Sequence, residues 1–460
     1  MSEQEKSVPL KIKISFALGN IGGLAIGQSS ILLLYTYYFL YIGVPLHPII
    51  LGLILMVYGI WDALNEPIIG HLSDITKSRW GRRKPFIMGG VVPLIIFGFL
   101  IYTPPLSDSA SAAIYLIVML FLYDTFVTMV VTMWFSLFPE ISLKQEERLS
   151  ISKFLQIFGV LGLIFGLGIA PLIAGSFSEP GIGYSIMGLA IGIVTALSVI
   201  PTILFVKERK EYQIQVEHKV KFTKSVKIAF KSKSFLYYVM VQFLLQLAYS
   251  LVLSSLPLFF EGVLGLQSIE WALQLLSVFI VVIPSLYLWI KVASNKGTKY
   301  ALFCSMVSFS AVFPFIFIVF NPITMMVLLL LAGIGLAGVM LFPTILLSDV
   351  IDEDQLTTKA RREGLYNGVS GVIVKLANSI SWLLLGIMVT LFQIDRNNLN
   401  PLNITSLNAI GLRISVGLLP VIVIIIGLFF LYKYPLAGNR LKEVKEQVKL
   451  INEELSKKNI

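Results

Sequence analysis

Within residues 59–74, GIWDALNEPIIGHLSD, two carboxylates and an amide follow twelve uncharged, mostly apolar residues from Ile50 to Trp61. Asp62, Asn65 and Glu66 are spaced i, i+3 and i+4, which puts all three on one face of a helix. In apolar surroundings an ionised carboxylate is costly, and two within one turn repel each other. They need a cation, a proton or a basic partner. Hard oxygen ligands suit a hard monovalent cation or a transferable proton, and a clustered set favours that reading over a salt bridge that merely joins helices.

Two further stretches carry chemistry at helical spacing. In LYDTFVTMVVTMWFSLFPE, Asp124, Thr128, Val131 and Phe135 share one face. Thr128 can lend a hydroxyl oxygen to a cation. Asp124 is open to three readings: charge balance, acceptor for a substrate hydroxyl, or an interhelical hydrogen bond. In GLYNGVSGVIVKLANSISW, Lys375 sits mid-helix with Asn378, Ser379 and Trp382 on its face. An ammonium at that depth seeks acids on another helix, so Lys375 is expected to act as a coupling counter-ion for Asp62 and Glu66; snorkelling to the surface is the alternative.

The elements that must position these residues are set by composition. The 460 residues are 56% hydrophobic and 13% charged, which places the chain in the membrane class. A bilayer core of roughly 30 Å needs about 20 apolar residues per helix. Suitable stretches fall near 13–42, 49–73, 85–104, 112–138, 152–175, 183–206, 235–261, 268–291, 300–320, 324–348, 364–393 and 409–433, twelve spans in all. With the N-terminus in the cytoplasm, inside segments hold about 33 of the 36 Lys and Arg. That asymmetry predicts a multi-pass cell-membrane protein with both termini cytoplasmic. The net charge of +10 then reflects topology and contact with anionic membrane lipid, with no need for a nucleic acid. The polar N-terminus leads into an apolar segment longer than a signal core, so no cleavable signal is expected. A single cysteine, Cys304, excludes an intramolecular disulfide and gives no metal cluster.

A basic stretch, residues 207–234, separates six spans from six. The expected fold class is an all-α integral membrane protein of twelve transmembrane helices, with halves at 1–206 and 235–433 and a cytoplasmic tail at 434–460. The arrangement suggests the major facilitator architecture, whose halves rock about a site near the bilayer midplane. Internal similarity is faint: SRWGRRKP after span 2 is only weakly echoed by SNKGTKY after span 8.

Three long motifs, WDALNEPIIGHLSDITKSRWGRRKP, WFSLFPEISLKQEERLSISKF and LLSDVIDEDQLTTKARREGLYNGVSGVIVKLANSI, occur in order across both halves. Together they resemble the glycoside-pentoside-hexuronide:cation symporters, the group that contains the melibiose permeases. The resemblance implies a sodium, lithium or proton site at Asp62, Asn65, Glu66 and Thr128, with Glu66 in place of the usual aspartate. It also implies cationic positions at Lys375 and at Lys153, the latter replacing an arginine. The carboxylates that bind galactoside hydroxyls in the family fall here at Gly23 and Val131, so the sugar pattern departs. Asn20 and Gln28 in span 1, Asp124 in span 4, Asn378 in span 11, and Tyr238, Gln242, Gln246 and Tyr249 in span 7 remain as candidate substrate ligands. The span 7 set forms one stripe of amides and phenols able to bond and stack on a sugar ring.

At the inner helix ends, Asp74 with Arg79, Arg82 and Arg83, and Asp349, Asp352 and Glu353 with Arg361 and Arg362, form candidate gating pairs. Exposed pairs of this kind are worth only about 0–1 kcal/mol each. The tail carries Leu441, Val444, Val448, Ile451 and Leu455 at helical spacing, as an amphipathic helix on the membrane or docked to the central loop. The chain contains no G-x-x-x-x-G-K-[ST] loop, and nothing suggests an enzyme or a resident cofactor. The leading expectation is a monomeric Na+- or H+-coupled importer of a sugar or glycoside. A transporter of another amphipathic solute, a lipid or organic anion, comes second and a non-transporting sensor third.

Overall fold

The computed structural model describes residues 8–42, 46–105, 108–141, 145–208, 230–358, 362–395, 399, 401–402 and 404–458. All regular structure among them is helical. In chain order the helices are α1 (Leu10–Ala17, running on as Gly19–Thr36), α2 (Pro48–Ile75), α3 (Lys84–Leu100), α4 (Ser109–Ser136), α5 (Ser150–Gly175), α6 (Pro180–Phe205), α7 (Lys233–Gly262), α8 (Ser268–Lys296), α9 (Thr298–Ile318), α10 (Pro322–Thr358), α11 (Glu363–Leu391), α12 (Ser406–Lys433) and α13 (Gly438–Lys458). Eleven are long and apolar enough to cross a membrane, and α3 is a shorter apolar helix. These twelve match the apolar stretches of the sequence. With no water in hydrocarbon, the helix satisfies its own backbone, which is why apolar length translates into helix.

Local signals fix the starts. Asp108, Ser232 and Thr405 each accept a bond from the backbone N–H three residues on, capping α4, α7 and α12. Pro48, Pro85 and Pro180 sit in the first turns of α2, α3 and α6, where a missing N–H costs nothing.

Two compact units form, the first within Met1–His218, Gly265–Leu276 and Ile394–Asn403, the second within Lys219–Leu264, Ser277–Gln393 and Ile404–Ile460. In the first unit, Phe16, Ile69, Ile87, Val130, Trp134, Leu155 and Val199 join α1 to α6 in one apolar cluster. Trp134 anchors it, stacking on Phe16 with ring centroids 5.0 Å apart and donating its indole N–H to the Phe16 carbonyl at 3.0 Å. Lys84, at the start of α3, donates to the carbonyl of Ile203 in the last turn of α6 at 2.7 Å.

The second unit repeats that device. Lys299, at the start of α9, donates to the carbonyls of Tyr432 and Tyr434 at the end of α12, at 2.8 and 2.7 Å. A cation there meets unpaired carbonyls and the negative end of the helix dipole. Both lysines follow a glycine with positive φ, Gly81 at 111° and Gly297 at 87°, which reverses the chain into the third helix of each half.

Candidate functional site

The acid-bearing face of α2 packs on α4 within the first unit. Trp61 stacks on Phe121 with centroids 5.0 Å apart and planes 6° from parallel, which fixes one turn of α2 against one turn of α4. From there Asn65 reaches α4. Its amide nitrogen donates to Asp124 Oδ2 and to Thr128 Oγ1, both at 3.0 Å. Asn65, Asp124 and Thr128 are 1, 2 and 2% exposed, so the three are shut off from solvent and their bonds run at low dielectric.

The neighbouring residue completes a second rung. Thr132 Oγ1 donates to Glu66 Oε1 at 3.1 Å. Between the two threonines α4 widens into a single π turn, Thr128–Thr132, a distortion frequent at functional sites. Asp62, half-buried one turn before Glu66, lies within electrostatic reach of Tyr58. The Tyr58 hydroxyl also points at Asp124 Oδ1, at 3.5 Å. Pro67 follows Glu66 inside α2 and has no N–H, so the Ala63 carbonyl loses its helical donor. These contacts join Asn65 to Asp124 and Thr128, and Glu66 to Thr132, with Asp62 one turn before Glu66 on α2. Carboxylate, amide and hydroxyl oxygens are hard donors, the kind that a monovalent cation or a proton takes.

Sequence reasoning singled out Asp62, Asn65, Glu66 and Thr128, and the structure brings Asn65 and Thr128 into direct contact with Glu66 beside them. It missed Thr132 and Tyr58. The available signal was spacing: Thr132 follows Thr128, and Tyr58 precedes Asp62, by four residues in the sequence. Asp124, open in the sequence to charge balance, a substrate hydroxyl or an interhelical hydrogen bond, makes an interhelical bond, to Asn65.

The other substrate candidates divide. Asn20 donates to the Leu155 carbonyl at 2.8 Å, joining α1 to α5. Lys153 is exposed, and the Gln28 side chain lies outside the described residues. Gly23 and Val131 are neighbours: a Cβ at Gly23 would stand 3.4 Å from a Val131 methyl.

In the second unit the α7 stripe faces α11. Tyr238 shares a 2.8 Å bond with Ser370, and Gln246 donates to Asn378 at 2.9 Å. Ser250 also bonds Asn378. Gln242, between them, has its amide oxygen buried without a hydrogen-bond partner, while Tyr249 is half-buried. Lys375 lies half-buried one turn from Asn378 and Ser379, and its carbonyl accepts the Ser379 hydroxyl at 2.7 Å.

The candidate gating charges form networks within each unit. Arg82 bridges Asp74 at 3.3 Å and Glu140 at 2.7 Å, and Arg83 meets Glu140 at 2.8 Å. Burial pulls the Arg83 guanidinium below its ordinary pKa, and the Glu140 carboxylate opposes that shift. Glu208 accepts from the backbone N–H groups of Arg82, Arg83 and Lys84 at 2.7–3.2 Å, closing the start of α3. Arg79 instead stacks on Trp80, 4.4 Å from the ring centroid. In the second unit Asp349 pairs with Lys445 of α13 at 2.9 Å, Glu353 with Arg440, and Arg362 with Asp354. The hydrogen bonds that Arg362 donates to Asp354 raise the Arg362 pKa. The partner of Asp349 is thus a tail residue rather than Arg362, and Arg361 lies outside the described residues. The tail helix docks on α10, with Val444 and Val448 buried.

A chain of twelve apolar helices, with a buried cluster of polar side chains between α2 and α4, has the makings of a membrane transporter of the major facilitator type. The chain belongs to the MFS/sugar transport protein family, whose model matches residues 15–438. It is 26% identical to the uncharacterized symporter YjmB of Bacillus subtilis, covering 94% of each chain. It is 25% identical to the sodium-dependent lysophosphatidylcholine symporter 1 of Mus musculus, over 89% of this chain and 83% of that one. Among solved structures, that of a D-xylose-proton symporter superposes with a TM-score of 0.66 at 15% identity, covering 93% of this chain and 98% of the other. The protein is a multi-pass membrane symporter of this type, and the resemblance carried by the three motifs holds.

Proposed function

We propose that the protein imports a sugar or glycoside together with Na+ or H+, the ion travelling as cargo on Asp62, Asn65, Glu66 and Thr128. The observation that carries this reading is the buried Asn65 amide clamped between Asp124 and Thr128, one residue from a carboxylate held by Thr132. Ionisable residues inside membrane helices are costly and mark ion or proton pathways by default. The polar α7–α11 stripe, with Gln242, Gln246, Tyr238, Tyr249 and Asn378, supports a hydroxyl-bearing solute. Alternating access of the two halves in the cell membrane would carry both species inward, with both termini cytoplasmic and the monomer as working unit.

A second reading has its own support. The contact between Gly23 and Val131 is apolar where galactoside carboxylates are expected, and vertebrate relatives are named lysophosphatidylcholine symporters. An amphipathic solute would fit that patch. Proteoliposomes loaded with a panel of labelled sugars, glycosides and lysophosphatidylcholine, with and without sodium and pH gradients, decide between them. Gradient-driven accumulation of a sugar or glycoside is expected. Accumulation of the lipid alone would establish the second reading, and no cation dependence with any solute would end both.

A further inference from the structure

Asp124 is a buried carboxylate that the motif resemblance leaves without a role. It sits four residues before Thr128 on α4, and both take bonds from the same atom, Asn65 Nδ2, at 3.0 Å each. An amide has two N–H donors at one end and a carbonyl acceptor at the other. A carboxylate accepts, so the amide must turn its nitrogen toward Asp124. With one N–H on Asp124 and the other on Thr128, both donors are spent. The carbonyl oxygen is then committed to the opposite side. Thr128 Oγ1, having accepted one bond, keeps its second lone pair.

We infer that Asp124 is a positioning residue which sets the orientation of the Asn65 amide, so that Asn65 offers an oxygen rather than a nitrogen to the coupling ion. Asp124 thereby governs which ion the site accepts, and it does not bind the solute. Without it, a rotation of the amide by half a turn would place N–H groups where a cation must sit, exchanging attraction for repulsion. Tyr58, whose hydroxyl stands 3.5 Å from the other Asp124 oxygen, holds the carboxylate from behind.

This inference rests on the proposed cation site and is tested separately from it. Wild-type and Asp124→Asn protein are compared in proteoliposomes. Solute uptake is measured against Na+, Li+ and pH, and the solute KM is measured at saturating cation. Asparagine keeps the shape but can both donate and accept, so it no longer dictates the orientation of Asn65. The expected result is a rise of about tenfold in the half-saturating cation concentration and a changed Na+/Li+ preference, with solute KM within about twofold of wild type. A raised solute KM at unchanged cation dependence would overturn the inference and return Asp124 to the solute site. Unchanged cation dependence and preference would overturn it too, while leaving the proposed function standing. Absence of any cation dependence in the wild type would instead remove that function. Asp124→Glu, which keeps the acceptor but displaces it by a methylene, gives the same comparison should the asparagine variant not be recovered folded.

Discussion

Glu66 is the longer of two possible acids at its position, and shortening it gives a worked test of the site. In Glu66→Asp the charge stays but the carboxylate is drawn back by about 1.5 Å, one carbon–carbon bond. The Thr132 hydroxyl, now 3.1 Å from Glu66 Oε1, would then stand about 4.5 Å away, outside hydrogen-bond range. A hydrogen bond to a charged group contributes about 1.5–3 kcal/mol net, and bonds between transmembrane helices measure about 0.6–2 kcal/mol. Where the two ranges overlap, from about 1.5 to 2 kcal/mol, the loss is at least about tenfold in affinity. The assay is solute uptake into proteoliposomes as a function of Na+ at fixed pH, and of pH without Na+. The half-saturating cation concentration should rise about tenfold while the maximal rate changes less. If both titrations superpose on wild type, the Thr132–Glu66 rung has no part in ion binding and the reasoning fails.

Lys375→Ala should slow net uptake more than exchange, because only return of the unloaded carrier needs a counter-charge for the acids; equal losses in both assays would place Lys375 in substrate binding or folding instead. Glu140→Ala removes the carboxylate shared by Arg82 and Arg83 and leaves a largely buried guanidinium without it, at a cost of about 3 kcal/mol; thermal unfolding in detergent should show a clearly lowered Tm, and an unchanged Tm would refute the network's structural role.

The helices were legible because apolar length and helix formation are the same requirement in hydrocarbon. The exception is instructive. Hydropathy ends the tenth span near residue 348, yet α10 runs to Thr358, since Asp349, Glu353 and Asp354 pair with Lys445, Arg440 and Arg362. Arg362 lies nearby and was among the candidate partners, but Arg440 is 87 residues from Glu353, and no local pattern announces it or Lys445. The faint echo between SRWGRRKP and SNKGTKY proved more than a topology signal: Lys84 and Lys299 cap the sixth helix of their own halves. At the site, spacing alone put Asp62, Asn65 and Glu66 on one face. What faces them across the helix pair depends on the π turn at Thr128–Thr132, a backbone adjustment that side-chain periodicity does not encode. Asp124 and Thr128, one regular turn apart, were legible as one face of α4; that both accept from the Asn65 amide was not, because that partner lies on another helix.

The central claim, that the α2 carboxylates join ion movement to solute movement, is tested most directly by Asp62→Asn in proteoliposomes under an imposed cation gradient, with accumulation and solute exchange measured in the same preparation. The account predicts that accumulation falls to equilibration, a ratio of about 1, while exchange survives in part, since only the linkage between the two ligands is cut. Wild-type accumulation by the Asp62→Asn protein would contradict it.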